Sequence, residues 1–589
     1  MIDRLPYLWP EIALFVTTCV VMVIGLSRSL ATRKLTAVVA GLGVVVAGVL
    51  AALVTPTGAE LAALPHPERA GQLLMPDMVP YVKCMIAAVG LMLLLALEGT
   101  VDREDEELIA SGRARFDPLR SNRAEFYAFY LFSLTGLMLC AGADDLIWLF
   151  LALELTSLPT YIMVAISTPR LRGREAAVKY FFLGALGAAV FLYGFALIYG
   201  GTGTTNLNKI HEVFTNDGIN GIAMAGILLS ILGLCFKIAA VPMHFYTPDV
   251  YQGAAPQVSG FLAFVPKTAG FIAILLLCAT FGWRYVPEAG SMLASTTRIS
   301  SVGTELPEVV RLMLWIIAAL TMLVGNVLAL MQTSVKRILA YSSVAHSGYI
   351  IVGIIAGPGN GSFTQSGIAA VLFYLLCYGV MNVGTFAVLA AIERKPGADG
   401  IVREVENVSD LRGLCGRHPA LGWSMVICSL SLLGLPPLLG FFGKLPLFTS
   451  AIASDELPLV IWMGINSSIA AFYYLRLAFA PLTEKTDPDA EETRLSPFRG
   501  RTIAAVVSAG GVITVSMFGM FVIESATDAG RYTPGVKSLP TKNAADEVKN
   551  QVKIGGQDGG QDGGQDGLKE SATSANQPME IVPMGLTGQ

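Results

Sequence analysis

The sequence predicts an all-α protein that crosses a membrane about fourteen times, and three observations predict it. The 589 residues are 53% hydrophobic and 14% charged, with a mean hydropathy of +0.61, too apolar for a soluble domain that must keep a polar surface. Stretches of about 20 apolar residues, the length that spans hydrocarbon, recur along most of the chain. The short segments between them alternate between rich and poor in Arg and Lys, as loops on opposite sides of a bilayer do.

In chain order the expected spans centre on 9–27, 35–55, 78–98, 124–142, 144–168, 177–202, 219–243, 255–282, 310–331, 336–357, 366–392, 421–449, 456–480 and 500–523. The first does not read as a cleavable signal peptide, because acidic Asp3 and Glu11 precede or enter it and no basic start or small-residue cleavage site is present. Loops after spans 1, 3, 5, 9, 11 and 13 carry the basic residues, among them Arg28, Arg33, Lys34, Arg170, Arg172, Arg174, Lys336, Arg337, Arg412 and Arg417. The opposite loops are poorer, with only 283–311 breaking the trend through Arg284, Arg298 and Arg311, and the loop after span 7 is neutral. Basic loops stay cytoplasmic, so both termini are expected outside a bacterial inner membrane.

From about residue 524 the apolar periodicity stops, and 555–567 reads GGQDGGQDGGQDG. Such a segment buries too little apolar surface to offset its ordering entropy, so 524–589 is expected to be a disordered extracytoplasmic tail. Its aspartates lack the apolar position that a stacked metal-binding β-roll buries. No metal site and no cofactor site is expected on this chain. The eight cysteines are dispersed without C-x-x-C spacing, and no strand–GxGxxG–helix unit is present.

Four charges sit near the middle of apolar runs: Glu154, Lys237, Lys267 and Lys444. Charges there are costly and mark ion pathways. Lys237 precedes Pro242, Lys267 follows Pro266, and Lys444 follows Pro436 and Pro437, so each lysine sits beside an expected helix interruption. Broken backbone within a bilayer is tolerated only where protein or water satisfies it. Dehydration favours the neutral amine of a lysine, and a neighbouring carboxylate restores the ammonium. Glu154 moving toward or away from a lysine would therefore switch it between loading and release, the chemistry of a proton relay. A static buried pair that only fixes helix packing is the competing reading.

Secondary candidates are His346, with Ser342, Ser343 and Ser347 nearby, Lys179 near the start of its helix, and His244 just after Pro242; Lys336 and Arg337 read as topology anchors. Lys237 and Lys444 fall five spans apart, each beside prolines, and an odd offset places two units in opposite orientation, a common transporter construction.

The segments CFKIAAVPMHFYTPDVYQGAAPQVSGFLAFVPKTAGF (235–271), SVKRILAYSSVAHSGYIIVG (334–353), DLRGLCGRHP (410–419) and SLLGLPPLLGFFGKLPLF (431–448) resemble the antiporter-like membrane subunits of bacterial NADH-quinone oxidoreductase, respiratory complex I. The resemblance covers about 120–480; lysine at 444 and histidine at 346 fit the subunit N family rather than its sister subunit M. It implies fourteen helices, two inverted five-helix repeats in spans 4–8 and 9–13, and breaks in helices 7 and 12. The corresponding regions are 1–123 with spans 1–3, 124–282 and 283–480 for the repeats, 481–523 for the last span, and the tail. It further implies a glutamate–lysine pair at Glu154 and Lys237, a central connecting lysine at Lys267 and the second broken-helix lysine at Lys444. Gln252 and Gln257 depart from a family stretch that more often has Glu and Thr, which puts in doubt any carboxyl role at position 252.

The expected function is proton translocation driven by electron transfer from NADH to quinone. NADH, flavin mononucleotide, iron–sulfur clusters and quinone belong to other subunits, and the partners are homologous antiporter-like membrane subunits. A subunit of a multisubunit cation/proton antiporter and a non-transporting membrane scaffold are the alternatives.

Overall fold

A computed structural model describes residues 5–55, 57, 73–113, 115, 117, 121–168, 170–283, 306–359, 362–394, 403–484 and 493–530. The GGQD run and most of the expected tail, with Arg284 and Arg298, lie outside the described residues.

The first three spans are α1 (Leu5–Gly25), α2 (Leu30–Leu53) and α3 (Met78–Ala96). A short surface helix, α4 (Arg103–Ala110), leads to α5 (Arg123–Ala141), α6 (Leu146–Ser167) and α7 (Leu171–Thr202). Arg172 and Arg174, expected in a loop, lie in the first turns of the 32-residue α7. Arginine is a good helix former, so the helix continues past the end of its apolar stretch. The amphipathic α8 (Leu207–Asn216) follows, with Asn206 accepting from the Lys209 backbone N–H as its N-cap.

The seventh crossing is broken. Its first half, α9 (Gly221–Lys237), ends on the lysine, and its second half, α10 (Thr247–Gly253), restarts beyond a turn in which Ala239 has φ +55°. Next comes α11 (Pro256–Phe281), every residue of which is buried. The chain resumes with α12 (Glu308–Leu330), α13 (Val335–Ala356) and α14 (Gly367–Ala391). One-turn α15 (Leu414–Arg417) precedes the second broken crossing, α16 (Pro419–Leu433) and α17 (Leu439–Ala453); α18 (Leu457–Phe479), α19 (Arg499–Phe518) and α20 (Met520–Gly530) complete the described chain. The last helix continues to Gly530, past the residue where the apolar pattern fades.

Among the described residues twelve helices are long and apolar enough to span a membrane, and the two broken pairs bring the crossings to fourteen. The order of elements repeats: α5, α6, α7, broken α9/α10, α11, then α12, α13, α14, broken α16/α17, α18. Five crossings separate equivalent elements, so the two units run in opposite senses. Departures from α-helix among the described residues are a 3-10 turn at Val408–Leu411 and short strand pairings, mostly buried or half-buried. Strands β1 (Ile392–Arg394), β2 (Arg403–Glu404) and β3 (Thr493–Leu495) form an antiparallel sheet in the order β2-β1-β3, and two isolated bridges pair Asp145 with Asn206 and Ser334 with Asn407.

Burial divides the helices into an inner and an outer set. In α13 all residues but Arg337 are buried, and in α14 all but Leu376. By contrast α1, α2 and α7 expose large apolar side chains such as Phe15, Val23, Leu42, Phe182 and Tyr193, as lipid-facing helices must. Helix α7 packs closely against α9: a Cβ on Gly194 would stand 2.5 Å from the Ser230 nitrogen, and one on Gly233 2.5 Å from the Phe191 nitrogen. Small residues allow this backbone approach where lipid supplies no hydrophobic drive.

Candidate functional site

Lys237 closes α9, where the last helical carbonyls carry the negative end of the half-helix dipole. Its ammonium donates to Glu154 Oε1 at 2.9 Å and to Ser157 Oγ at 2.7 Å, both on α6, and lies 5.6 Å from the centre of the Phe191 ring. Lys237 is buried, while the Glu154 side chain keeps 18% exposure. Glu154 and Ser157, three residues apart, share one face of α6, so the site meets Lys237 with a carboxylate and a hydroxyl together.

The break beside Lys237 leaves little of its backbone unpaired. Ala240 N–H donates to Cys235 O at 2.8 Å, Val241 N–H to Thr321 Oγ1 at 3.0 Å, and the Tyr246 hydroxyl to Phe236 O at 2.8 Å. Ile238 O accepts from Ser347 Oγ at 2.5 Å. Protein groups thus satisfy backbone that a continuous helix would have satisfied itself.

Lys267, in the middle of α11, donates to Ser343 O at 2.5 Å and to Ser347 Oγ at 3.1 Å, both on α13. His346 of α13 has both ring nitrogens engaged: Nδ1 with the Tyr374 hydroxyl at 2.5 Å and Nε2 with the Tyr474 hydroxyl at 2.7 Å. Tyr474 also bonds the Ser342 hydroxyl. His346 lies within electrostatic range of both Lys267 and Lys444.

Lys444 sits on the first turns of α17 and reaches back across the second break to donate to Leu433 O at 2.8 Å, the last residue of α16. Its ammonium lies 5.1 Å from the centre of the Tyr349 ring, within cation–π range. Both broken crossings therefore hold a buried ammonium near the carbonyl end of their first half.

The structure brings Glu154 and Lys237 into direct contact and joins Lys237 to Lys267 through Ile238 O and Ser347. His346, one residue before Ser347 on α13, bonds Tyr374 and Tyr474 rather than either lysine. Lys179 and His244 lie apart from this line. Lys179 is half-exposed and pairs with Glu175 at 2.8 Å and Asp249 at 3.2 Å, and His244 is half-buried in the turn between α9 and α10. Arg337 pairs with Asp249 at 3.0 Å, while buried Lys336 donates to Ala254 O and Glu404 Oε2, each at 2.9 Å. Gln252 donates to Glu406 Oε1 at 2.6 Å. Gln252, Lys336, Glu404 and Glu406, with Arg170 and Arg172, border a polar cavity of about 250 Å³.

Sequence reasoning missed Ser157, Tyr374 and Tyr474, and it missed a further buried pair, Lys83 Nζ to Glu11 Oε1 at 2.8 Å, between α3 and α1. The signal for the pair was present, since both residues fall inside apolar stretches. Ser157 was findable from its i+3 position relative to Glu154. All eight cysteines are free.

Residues 143–470 match the family described as NADH:quinone oxidoreductase/Mrp antiporter, TM. Subunit N of NADH-quinone oxidoreductase from Trichlorobacter lovleyi is 37% identical over 415 residues, covering 69% of this chain and 77% of that one. The subunit N of Rhodospirillum rubrum is 34% identical over 513 residues, covering 86% and 93%. A solved structure of respiratory complex I from Thermus thermophilus contains a chain that superposes with a TM-score of 0.66 at 28% identity, covering 88% of this chain and 99% of that one. Two buried lysines on paired broken crossings, with Lys267 on buried α11 and Glu154 against Lys237, occur here in a chain this similar to those relatives over most of its length: the chain belongs to the subunit N family of NADH-quinone oxidoreductase.

Proposed function

We propose that this chain is a proton-translocating subunit in the membrane arm of an NADH-quinone oxidoreductase, and that Glu154, Lys237, Lys267 and Lys444 carry the proton. The observation that carries the reading is the pair of buried Lys237 with part-buried Glu154 at a helix break whose freed carbonyl is tied, through Ser347, to Lys267. Glu154 holds the Lys237 proton; when the pair separates, dehydration favours its release. Lys267 receives or holds the charge at the centre, and His346, with a donor and an acceptor nitrogen when neutral, links it toward Lys444.

The two five-helix units correspond to 124–282 and 283–480, with 1–123 as an added bundle. Both termini lie outside the inner membrane, as the basic residues beside α2, α7 and α13 favour. Electron transfer from NADH to quinone, through flavin mononucleotide and iron–sulfur centres, takes place in other subunits, and this chain answers it by moving charge. Lys179 and His244 serve the margin of the path rather than its centre.

The test is NADH-driven acidification of inverted membrane vesicles carrying Glu154→Gln. The expected result is a fall of about ten-fold or more in the initial rate with the complex assembled, since removing a positioned proton-transfer group commonly costs at least that much. Wild-type rates in Glu154→Gln would remove the carboxylate from the path.

A further inference from the structure

A helix broken inside a membrane frees backbone carbonyls, and at the break after α9 the freed carbonyl of Ile238, next to Lys237, is taken by the Ser347 hydroxyl at 2.5 Å. Ser347 Oγ in turn accepts from Lys267 Nζ at 3.1 Å. Ser347 is 1% exposed, so no bulk water competes for it. A serine hydroxyl has one proton to give and two lone pairs to accept with. Its proton has a choice of acceptors: Ile238 O, the Ser343 carbonyl one turn back at 3.2 Å, and the Lys267 nitrogen whenever that amine is neutral.

We propose that Ser347 couples the protonation state of Lys267 to the helix break beside Lys237. The proposal rests on the reading of both lysines as proton carriers. An ammonium has no lone pair, so protonated Lys267 donates to Ser347 and to Ser343 O, and the Ser347 proton stays on Ile238 O, fastening α13 to the break. Neutral Lys267 offers a lone pair at the same place. Ser347 then donates to the amine, and Ile238 O loses its partner. The proton that leaves Lys267 passes to the next carrier toward Lys444 and none leaves Ser347; the Ser347–Lys267 hydrogen bond reverses its sense and the Ser347–Ile238 hydrogen bond is given up.

A buried carbonyl without a donor is unfavourable, and the turn that bears it, at Ala239 with φ +55°, is already non-helical. The turn relaxes, and Lys237, one residue away from Ile238, shifts relative to Glu154 and Ser157. Coupling of this kind is reciprocal: separation of Lys237 from Glu154 that moves the turn changes the ease with which Lys267 gives up its proton. Ser347 is a positioning residue here and carries no proton itself.

The experiment measures NADH-driven acidification in vesicles, normalised to assembled complex. Ser347→Ala is expected to lower the rate about five-fold, within the range that one hydrogen bond's net worth corresponds to, and Ser347→Thr, which keeps the hydroxyl, to stay within about two-fold of wild type. In a Lys267→Ala background, Ser347→Ala is expected to add no further loss, because the coupling already lacks its sensor. A wild-type rate in Ser347→Ala, an equal fall in Ser347→Thr, or losses that multiply in the double variant would each overturn the proposal. Should Ser347→Ala fail to assemble, the near-isosteric pair Ser347→Thr and Ser347→Val decides, and equal rates in both count against it. Wild-type pumping in Lys267→Ala would deny the carrier reading itself. Impaired Lys267→Ala with wild-type Ser347→Ala denies only the coupling.

Discussion

Lys237 is held from three sides: Glu154 and Ser157 bind its ammonium, and Gly270 of α11 abuts its stem. A Cβ on Gly270 would stand 2.9 Å from Lys237 Cβ and 2.7 Å from Ile238 Cγ2, closer than packed carbons tolerate. Gly270→Ala is therefore expected to push the lysine off its partners and lower NADH-driven acidification by several-fold, measured beside the amount of assembled complex to separate misplacement from misfolding. At this scale the sequence was readable for charges and less so for hydroxyls. Lys237, Lys267 and Lys444 stand out because an isolated lysine in an apolar run has no bland explanation. Ser157 stands out only through its i+3 spacing from Glu154, because Ser and Thr in a helix commonly bond their own i−4 carbonyl, as Ser157 also does to Leu153 O at 2.8 Å, and Tyr374 and Tyr474 read from the sequence as ordinary core aromatics. Nothing local announces that their other partner lies on a helix distant in the sequence.

Among the elements, the two broken crossings carry the chemistry, and glycine makes the second one possible. Gly434 follows α16 with φ +92°, a left-handed conformation that L side chains avoid, and a Cβ there would meet Lys444 Cδ at 3.1 Å. Gly434→Ala is expected to cost about 1–2 kcal/mol and to shift Lys444, read as a lower melting temperature and slower pumping together. Gly440 is more severe: its Cβ would lie on the Ser431 carbonyl, and its N–H donates to Ser431 Oγ at 3.0 Å where α16 and α17 meet. Gly440→Leu is expected to prevent assembly, visible as loss of the subunit from the purified complex. Prolines in the sequence announced both breaks, but the interruption expected beside Lys267 is absent: α11 runs continuously through Pro266, since a proline can be held inside a membrane helix when its neighbours pack around it. The sheet of β1, β2 and β3 was not announced, since strands of three residues or fewer in charged loops leave no periodicity to read.

Over the whole molecule, the family match begins at residue 143, yet the bundle before it carries its own buried ion pair. Glu11 and Lys83 lie 2.8 Å apart with side chains 5% and 1% exposed. Glu11→Leu takes the close carboxylate from a buried lysine, so it is expected to destabilise the protein by up to about 3–5 kcal/mol, and the double change to Leu and Met to recover most of it; thermal unfolding of the purified complex measures both. The inner helices α11, α13 and α14, buried almost all round, carry Lys267 and His346 and pack against the inward faces of α6, α9 and α17, so the line that the sequence presents as scattered residues is gathered away from lipid. The central claim is that this line moves protons. Its most direct test is the initial rate of NADH-driven acidification in vesicles whose assembled complex carries Lys237→Ala. A fall of about ten-fold or more is expected, and a wild-type rate in the assembled variant would contradict it.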